Sequence, residues 1–185
     1  MKKIKVGILI GSLRKESYSK AVAKSILQIA PSNMDMSMIE IGHLPFYNQD
    51  YEADYPTSYR DFKEQIKKVD ALLFITPEYN RSIPAVLKNA LDVASRPYGA
   101  SAWNGKPAAV ISQSPGNIGG FGANSHLCQI ASCLNIKVMQ QPECCLANIT
   151  EALNENGELT CKKTIAYLST VLTAFENWCK LFLEK

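Results

Sequence analysis

Three unbroken apolar runs constrain this chain more than anything else in it: Val6-Gly7-Ile8-Leu9-Ile10, Ala71-Leu72-Leu73-Phe74-Ile75 and Pro107-Ala108-Ala109-Val110-Ile111-Ser112. A strand with one wet face alternates polar and apolar residues. Runs without that alternation are strands covered on both faces, as in parallel sheets. Each run leads on to a stretch with helical spacing. Lys20–Leu27 follows the first, and Pro84–Ser95 the second, with Val86, Leu87, Ala90, Leu91 and Val93 available to a core. A third helix is expected around Gly122 to Leu134. Strands alternating with helices imply a parallel sheet with helices on both faces, because each parallel connection needs a crossover.

The remaining stretches fill in the same plan. Asp35–Ile41 alternates and suits a strand nearer an edge, and Ile136–Met139 suits a short last strand. Tyr59–Val69 has helical spacing with Phe62, Ile66 and Val69 on one side and Lys63, Lys67 and Lys68 off it. Thr160–Leu183 reads as a long amphipathic helix whose inner face is Ile165, Leu168, Val171, Leu172, Phe175, Trp178 and Leu181. No internal repeat or interdomain linker breaks the pattern, and 185 residues suit one domain spanning 1–185. About five strands in one such domain point to an α/β, flavodoxin-like three-layer sandwich. Its five-stranded parallel sheet would have the order 2-1-3-4-5.

That topology places a ligand beyond the carboxyl ends of the strands, where the loops after strands one, three and four open together. Here those loops begin at Gly11, Pro77 and Ser114, and they are the least ordinary stretches of the sequence. The first, Gly11-Ser12-Leu13-Arg14-Lys15-Glu16-Ser17-Tyr18-Ser19, joins a strand to a helix N-terminus. Its backbone N–H groups, the Ser12, Ser17 and Ser19 hydroxyls and the Arg14 guanidinium can meet one phosphate. A strand-to-helix turn capped by serine would also use these residues. The second, Thr76-Pro77-Glu78-Tyr79-Asn80-Arg81-Ser82-Ile83-Pro84, is stiffened by two prolines and can present its backbone to a flat heterocycle. In it Asn80 can both donate and accept, Tyr79 offers an edge or face, and Glu78 can brace the turn. The third carries Gly116, Gly119 and Gly120, where a backbone can come close to the other edge of the ring.

Several chemistries find no support. There is no G-x-G-x-x-G after the first strand, no G-x-x-x-x-G-K-[ST] and no G-x-S-x-G. The six cysteines fall late in the chain without a C-x-x-C, and His43 and His126 have no ligand-like neighbours in sequence, so neither a disulfide framework nor a metal site is expected. The vicinal Cys144-Cys145 reads as buried or idle thiols, with a redox pair as the alternative. A net charge of +3 with scattered Lys and Arg falls short of a nucleic-acid footprint. No stretch is long enough to span a bilayer and no signal peptide is visible, so a cytoplasmic protein is expected.

Three motifs taken together resemble the NAD(P)H-dependent FMN reductase family, which includes quinone, chromate and azo-dye reductases. They are Gly11-Ser12-Leu13-Arg14-x-x-Ser17-x-Ser19, then Pro77-Glu78-Tyr79-Asn80-x-Ser82-Ile83-Pro84-x-x-Leu87-Lys88-Asn89-Ala90-x-Asp92-x-x-Ser95-Arg96-Pro97, and Ser114-x-Gly116-x-x-Gly119-Gly120. The resemblance runs from the first strand to about residue 140. It implies noncovalent FMN, NAD(P)H as electron donor, and a homodimer or a homotetramer built from dimers. Carried over by position, Ser12, Arg14, Ser17 and Ser19 would hold the FMN phosphate. Pro77, Glu78, Tyr79, Asn80 and Ser82 would line the ribityl chain and isoalloxazine, with Ser114, Gly116 and Gly119 on the opposite side. Two positions depart from the family's pattern. Ser19 stands where the family often has Asn, so its contact with phosphate would be shorter or water-mediated. Glu16 replaces a frequently small residue and would have to point to solvent or pair with a base such as Lys15.

The implied activity is transfer of a hydride from NAD(P)H to bound FMN and of electrons onward to a quinone, flavin, azo compound or metal oxyanion, by a ping-pong mechanism. Such chemistry sits on the cofactor, so no catalytic side chain and no dedicated proton donor are assigned. Arg81 is the candidate to face the substrate pocket and attract anionic partners; a solvated loop arginine is the alternative. The C-terminal helix and the Tyr47/Tyr51/Tyr55 region are candidates for a subunit interface, with core packing as the competing role of the helix. A flavodoxin-like electron carrier shares the fold and FMN, but such carriers tend to be acidic. A regulatory module that keeps the fold without flavin would have no need of the Arg and Ser cluster.

Overall fold

The computed structural model describes residues 3–183; the expected domain's first two and last two residues lie outside that range. The first apolar run forms β1 (Ile4–Ile10), and Met34–Ile39 forms β2 at the sheet edge. Ala71–Thr76 is β3 and Pro107–Gln113 is β4, each buried along its whole length. The path through the sheet is β2-β1-β3-β4-β5, all parallel, with β5 reduced to Lys137–Val138. This is the expected 2-1-3-4-5 order.

One strand was not foreseen. Cys144–Leu146 forms β6, which pairs with the carboxyl half of β4 while β5 pairs with its amino half. The expected strand Ile136–Met139 is cut short because the chain leaves the sheet between β5 and β6. Pro142, which has no N–H to give a ladder, lies in that excursion.

Helices α1 (Tyr18–Ile29) and α5 (Lys162–Leu183) cover one face of the sheet. Helices α2 (Thr57–Lys68), α3 (Ala85–Ser95) and α4 (Phe121–Cys133) cover the other. Successive strand residues feed the two cores in turn: Leu73 and Ile75 face α1 and α5, whereas Leu72 and Phe74 pack beneath α2 to α4. On the second face the Trp103 indole is fully buried against Phe62 and Phe74, and its Nε1 donates to the Leu91 carbonyl.

Two helical faces differ from the sequence pattern. In α5, Leu168, Val171, Leu172 and Phe175 are buried as expected, but Leu181 is 70% exposed and Cys179 takes the inner position. Core packing therefore accounts for the apolar face of this helix. In α2, Lys63 is only 8% exposed. Its Nζ donates to the carbonyls of Arg96 and Ala100, which the charge pattern alone could not reveal.

Candidate functional site

The three loops do converge, and named contacts join them. The first leaves β1 at Gly11, whose N–H completes the ladder to the Ile75 carbonyl. A side chain at Gly11 would put its Cβ 2.8 Å from Thr76 Oγ1, so glycine is what lets loops one and two leave the sheet side by side. Beyond it, the N–H groups of Ser12 and Leu13, and those of Tyr18 and Ser19 in the first turn of α1, donate to no group among the described residues. Unpaired amides gathered at a helix N-terminus, where the dipole is positive, favour an anion.

Ser17 is the N-cap of α1, its Oγ accepting from Lys20 N, so it keeps its own proton to donate. Ser12 is also buried, and the Arg14 guanidinium lies over the Tyr18 ring, 5.4 Å from its centroid. Glu16 is exposed. Ser19 sits deeper than the sequence suggests: it is 0% exposed, and its Oγ accepts from Gln113 Nε2 at 3.0 Å. That bond ties the first loop's helix to the end of β4.

The second loop is a tight hairpin. Tyr79 and Ser82 exchange both backbone hydrogen bonds at 2.9 Å, and the two residues between them, Asn80 and Arg81, have φ of 50° and 66°. Two left-handed residues in a two-residue connection make a type I′ turn, tolerable for Asn and strained for Arg. The polar residues around it also brace α4. Glu78 Oε2 accepts from Ala123 N at 3.0 Å, and Ser82 Oγ lies 2.9 Å from His126 Nδ1. Arg81 reaches back to Glu78 at 3.5 Å with most of its side chain in solvent. Pro77 is half-buried, while the Tyr79 ring and Asn80 are exposed at the hairpin tip.

In the third loop Ser114 Oγ accepts from Gly116 N, and the carbonyls of Ser114 and Gly116 accept from Ile149 and Asn148. Gly116 faces solvent, whereas Gly119 is buried with φ of 62°. A Cβ at Gly119 would lie 2.6 Å from the Cys145 carbonyl carbon, so its close approach is to β6 rather than to open space. Cys145 and Cys144 flank this contact. Burial pushes the Cys144 thiol up to about 12, and burial also raises Cys145, so neither is poised as a thiolate. The six cysteines are free. Among the described residues no cluster of His, Cys, Asp and Glu could hold a metal.

A fourth segment borders the first loop. The connection after β2 packs beside the first loop, with Gly42 against the Leu13 side chain. Asn89, in α3, clamps it: its Oδ1 accepts from Tyr47 N, and its Nδ2 donates to the Pro45 carbonyl. Tyr59 Oη donates to the Phe46 carbonyl, and Arg96 Nε meets Glu52 at 2.7 Å, with Tyr47 Oη donating to the same oxygen. Tyr47 and then Arg96 hold the Glu52 carboxyl below its ordinary 4.5. Asn89 and Arg96 were visible as part of a motif, but their task was not. Gln113 was missed altogether, and its signal was a lone amide closing a buried strand. A cavity of about 750 Å³ also begins at Lys15–Ser17 and runs along α1 to the 153–160 hairpin.

Known proteins share this arrangement. Residues 4–151 match the NADPH-dependent FMN reductase family. The chain is 48% identical over 177 residues to a quinone reductase of Pseudomonas putida, covering 95% of each chain. It is 44% identical over 177 residues to a 2-hydroxy-1,4-benzoquinone reductase of a Burkholderia species, covering 96% of this chain and 97% of that one. Its fold superimposes with a TM-score of 0.90 on FerB, a flavoenzyme NAD(P)H:(acceptor) oxidoreductase from Paracoccus denitrificans, at 40% identity over 97% of this chain and 98% of that one. With converging loops, sheet order and these likenesses in agreement, the chain is an oxidoreductase that belongs to the NADPH-dependent FMN reductase family.

Proposed function

We propose that the chain, read as one domain over residues 1–185, binds FMN without a covalent link and reduces a small oxidant of the quinone class with NAD(P)H. The observation that carries this reading is the set of amides at Ser12, Leu13, Tyr18 and Ser19 without partners among the described residues, beside a hairpin and a glycine loop that open at the same carboxyl end of the sheet. These residues fit the cofactor. The α1 N-terminus and Arg14 suit a phosphate dianion, with Ser12 and Ser17 able to donate to it. Pro77, Glu78, Tyr79, Asn80 and Ser82 would border the ribityl chain and ring, and Ser114, Gly116 and Gly119 the far side. Ser19 would act through its N–H, or from behind through its hydroxyl, which accepts from Gln113 and keeps its own proton.

When bound, FMN supplies a site that takes a hydride from NAD(P)H and releases two electrons to an acceptor. Pro77, Glu78 and Ser82 would orient the ring, and the exposed hairpin tip at Tyr79–Arg81 would leave room for donor and acceptor in turn, as a ping-pong mechanism requires. Arg81, at the hairpin tip, offers its charge to an anionic donor or acceptor. Flavins, azo compounds and metal oxyanions fall within reach of the same open face. Phe46, 77% exposed on the clamped loop, is suited to contact a second copy in a homodimer or homotetramer. No described helix is long and apolar enough to cross a membrane; the reading places the protein in the cytoplasm with small-molecule partners.

The test is the visible spectrum of the purified protein with added FMN, followed under anaerobic conditions by NADPH. A bound flavin that bleaches supports the reading. A flavin that binds and stays oxidised marks an electron carrier instead, and no binding removes the cofactor assignment.

A further inference from the structure

Gln113 closes β4 at 2% exposure, and only one end of its carboxamide is satisfied. Nε2 donates to Ser19 Oγ at 3.0 Å, whereas Oε1 is buried and meets no partner among the described residues. Buried polar atoms left unmatched cost stability, so each calls for a reason. Ser19 accepts from Gln113 and therefore keeps its own proton. The pair thus has one acceptor and one donor to spare, side by side, beneath the first turn of α1. Those are the two partners that fix a single water molecule, and a water held by both still has a hydrogen to give. An anion at the helix N-terminus is an acceptor only.

We propose that Gln113 and Ser19 hold a buried water that donates a hydrogen bond to the phosphate of the cofactor, from beneath the loop that cradles it. The pair does the work that a longer side chain at position 19 would do directly. Gln113 is thereby a positioning residue of the phosphate site: the water meets its otherwise unmatched oxygen, and the bound anion completes the network. The inference rests on the reading of the first loop as the FMN phosphate site.

The experiment uses the full-length apoprotein and measures affinity by quenching of flavin fluorescence. FMN and riboflavin, which lacks the phosphate, are compared on the wild type, Gln113→Met, Ser19→Ala and the double variant. Melting temperatures of the four apoproteins are recorded alongside. Each single variant is expected to weaken FMN by about 10- to 150-fold, the range of one hydrogen bond to a charged group, and to leave riboflavin unchanged. The double variant should lose no more than either single one, because all three remove the same water. The Gln113→Met apoprotein should melt no lower than the wild type. Equal losses for FMN and riboflavin, additive losses, or unchanged FMN affinity would each overturn the proposal. A wild type that prefers FMN no more than riboflavin overturns the phosphate assignment itself, and one that binds neither removes the cofactor reading with it.

Discussion

Single residues in this chain often carry two duties, and their chemistry separates them. Ser17 caps α1 with one lone pair while its proton stays available, so Ser17→Ala should cost both helix and ligand. We expect about 1 kcal/mol of stability lost in the apoprotein, read by denaturant unfolding, together with weaker FMN binding. A variant that lost only stability would show that the hydroxyl serves the helix alone. The cysteines separate in the same way. Burial lifts the thiols of Cys144 and Cys179 to about 12, whereas the backbone N–H of Thr164, then its side chain, lowers that of Cys161. The thiolate is the reacting form, so at pH 8 a small disulfide reagent should label native Cys161 well ahead of Cys144 and Cys179. Mass spectrometry of quenched samples gives the order, and early labelling at Cys144 would contradict its burial at the β4–β6 seam.

At the scale of the element, the connection after β2 is held by charge as well as packing, and α5 by packing. Ile41 and Leu44 anchor the first half of that connection in the core, and Glu52, Tyr47 and Arg96 pin the rest. Glu52 ionises more readily in the folded protein than in the unfolded chain. Its contribution to stability is therefore complete above its ordinary pKa of 4.5 and is lost as pH falls through the lower folded value. Glu52→Gln should then be less stable than the wild type at pH 7, with the gap closing below pH 4.5. Melting curves across that window decide it, and a pH-independent gap would assign the loss to packing. In α5, Phe175→Ala should cost about 3–5 kcal/mol, whereas Leu181→Ala should change stability by about 0.5 kcal/mol or less. Periodicity alone put Leu181 inside. What it could not show is which residues of the last turns face the sheet: Cys179 is fully buried and Phe182 packs on Trp178, whereas Leu181 points to solvent.

Across the whole molecule, what was legible followed from local rules. The apolar runs of β1, β3 and β4 can only be doubly covered strands, and the topology then dictates that their loops meet. The rest required partners distant in sequence. Gln113 becomes meaningful only against Ser19, 94 residues away, Lys63 only against the carbonyls 33 and 37 residues on, and β6 only against β4. The site is therefore an assembly of segments that the fold brings together, and a ligand across them should act on the fold as a unit. FMN that bridged the loops after β1, β3 and β4, as proposed, would bind the native state alone and stabilise the protein by mass action. At a free concentration of about 100 Kd this amounts to about 2.7 kcal/mol, or roughly 5–10 °C in a chain of this size. Riboflavin at the same concentration should give a much smaller shift, because the α1 N-terminus would be left without its anion. Hydrogen exchange should show the gain at residues 12–19 and 114–120 together. Protection confined to one of those segments would mean that the ligand does not span the switch point, and that the three loops meet for structural reasons alone.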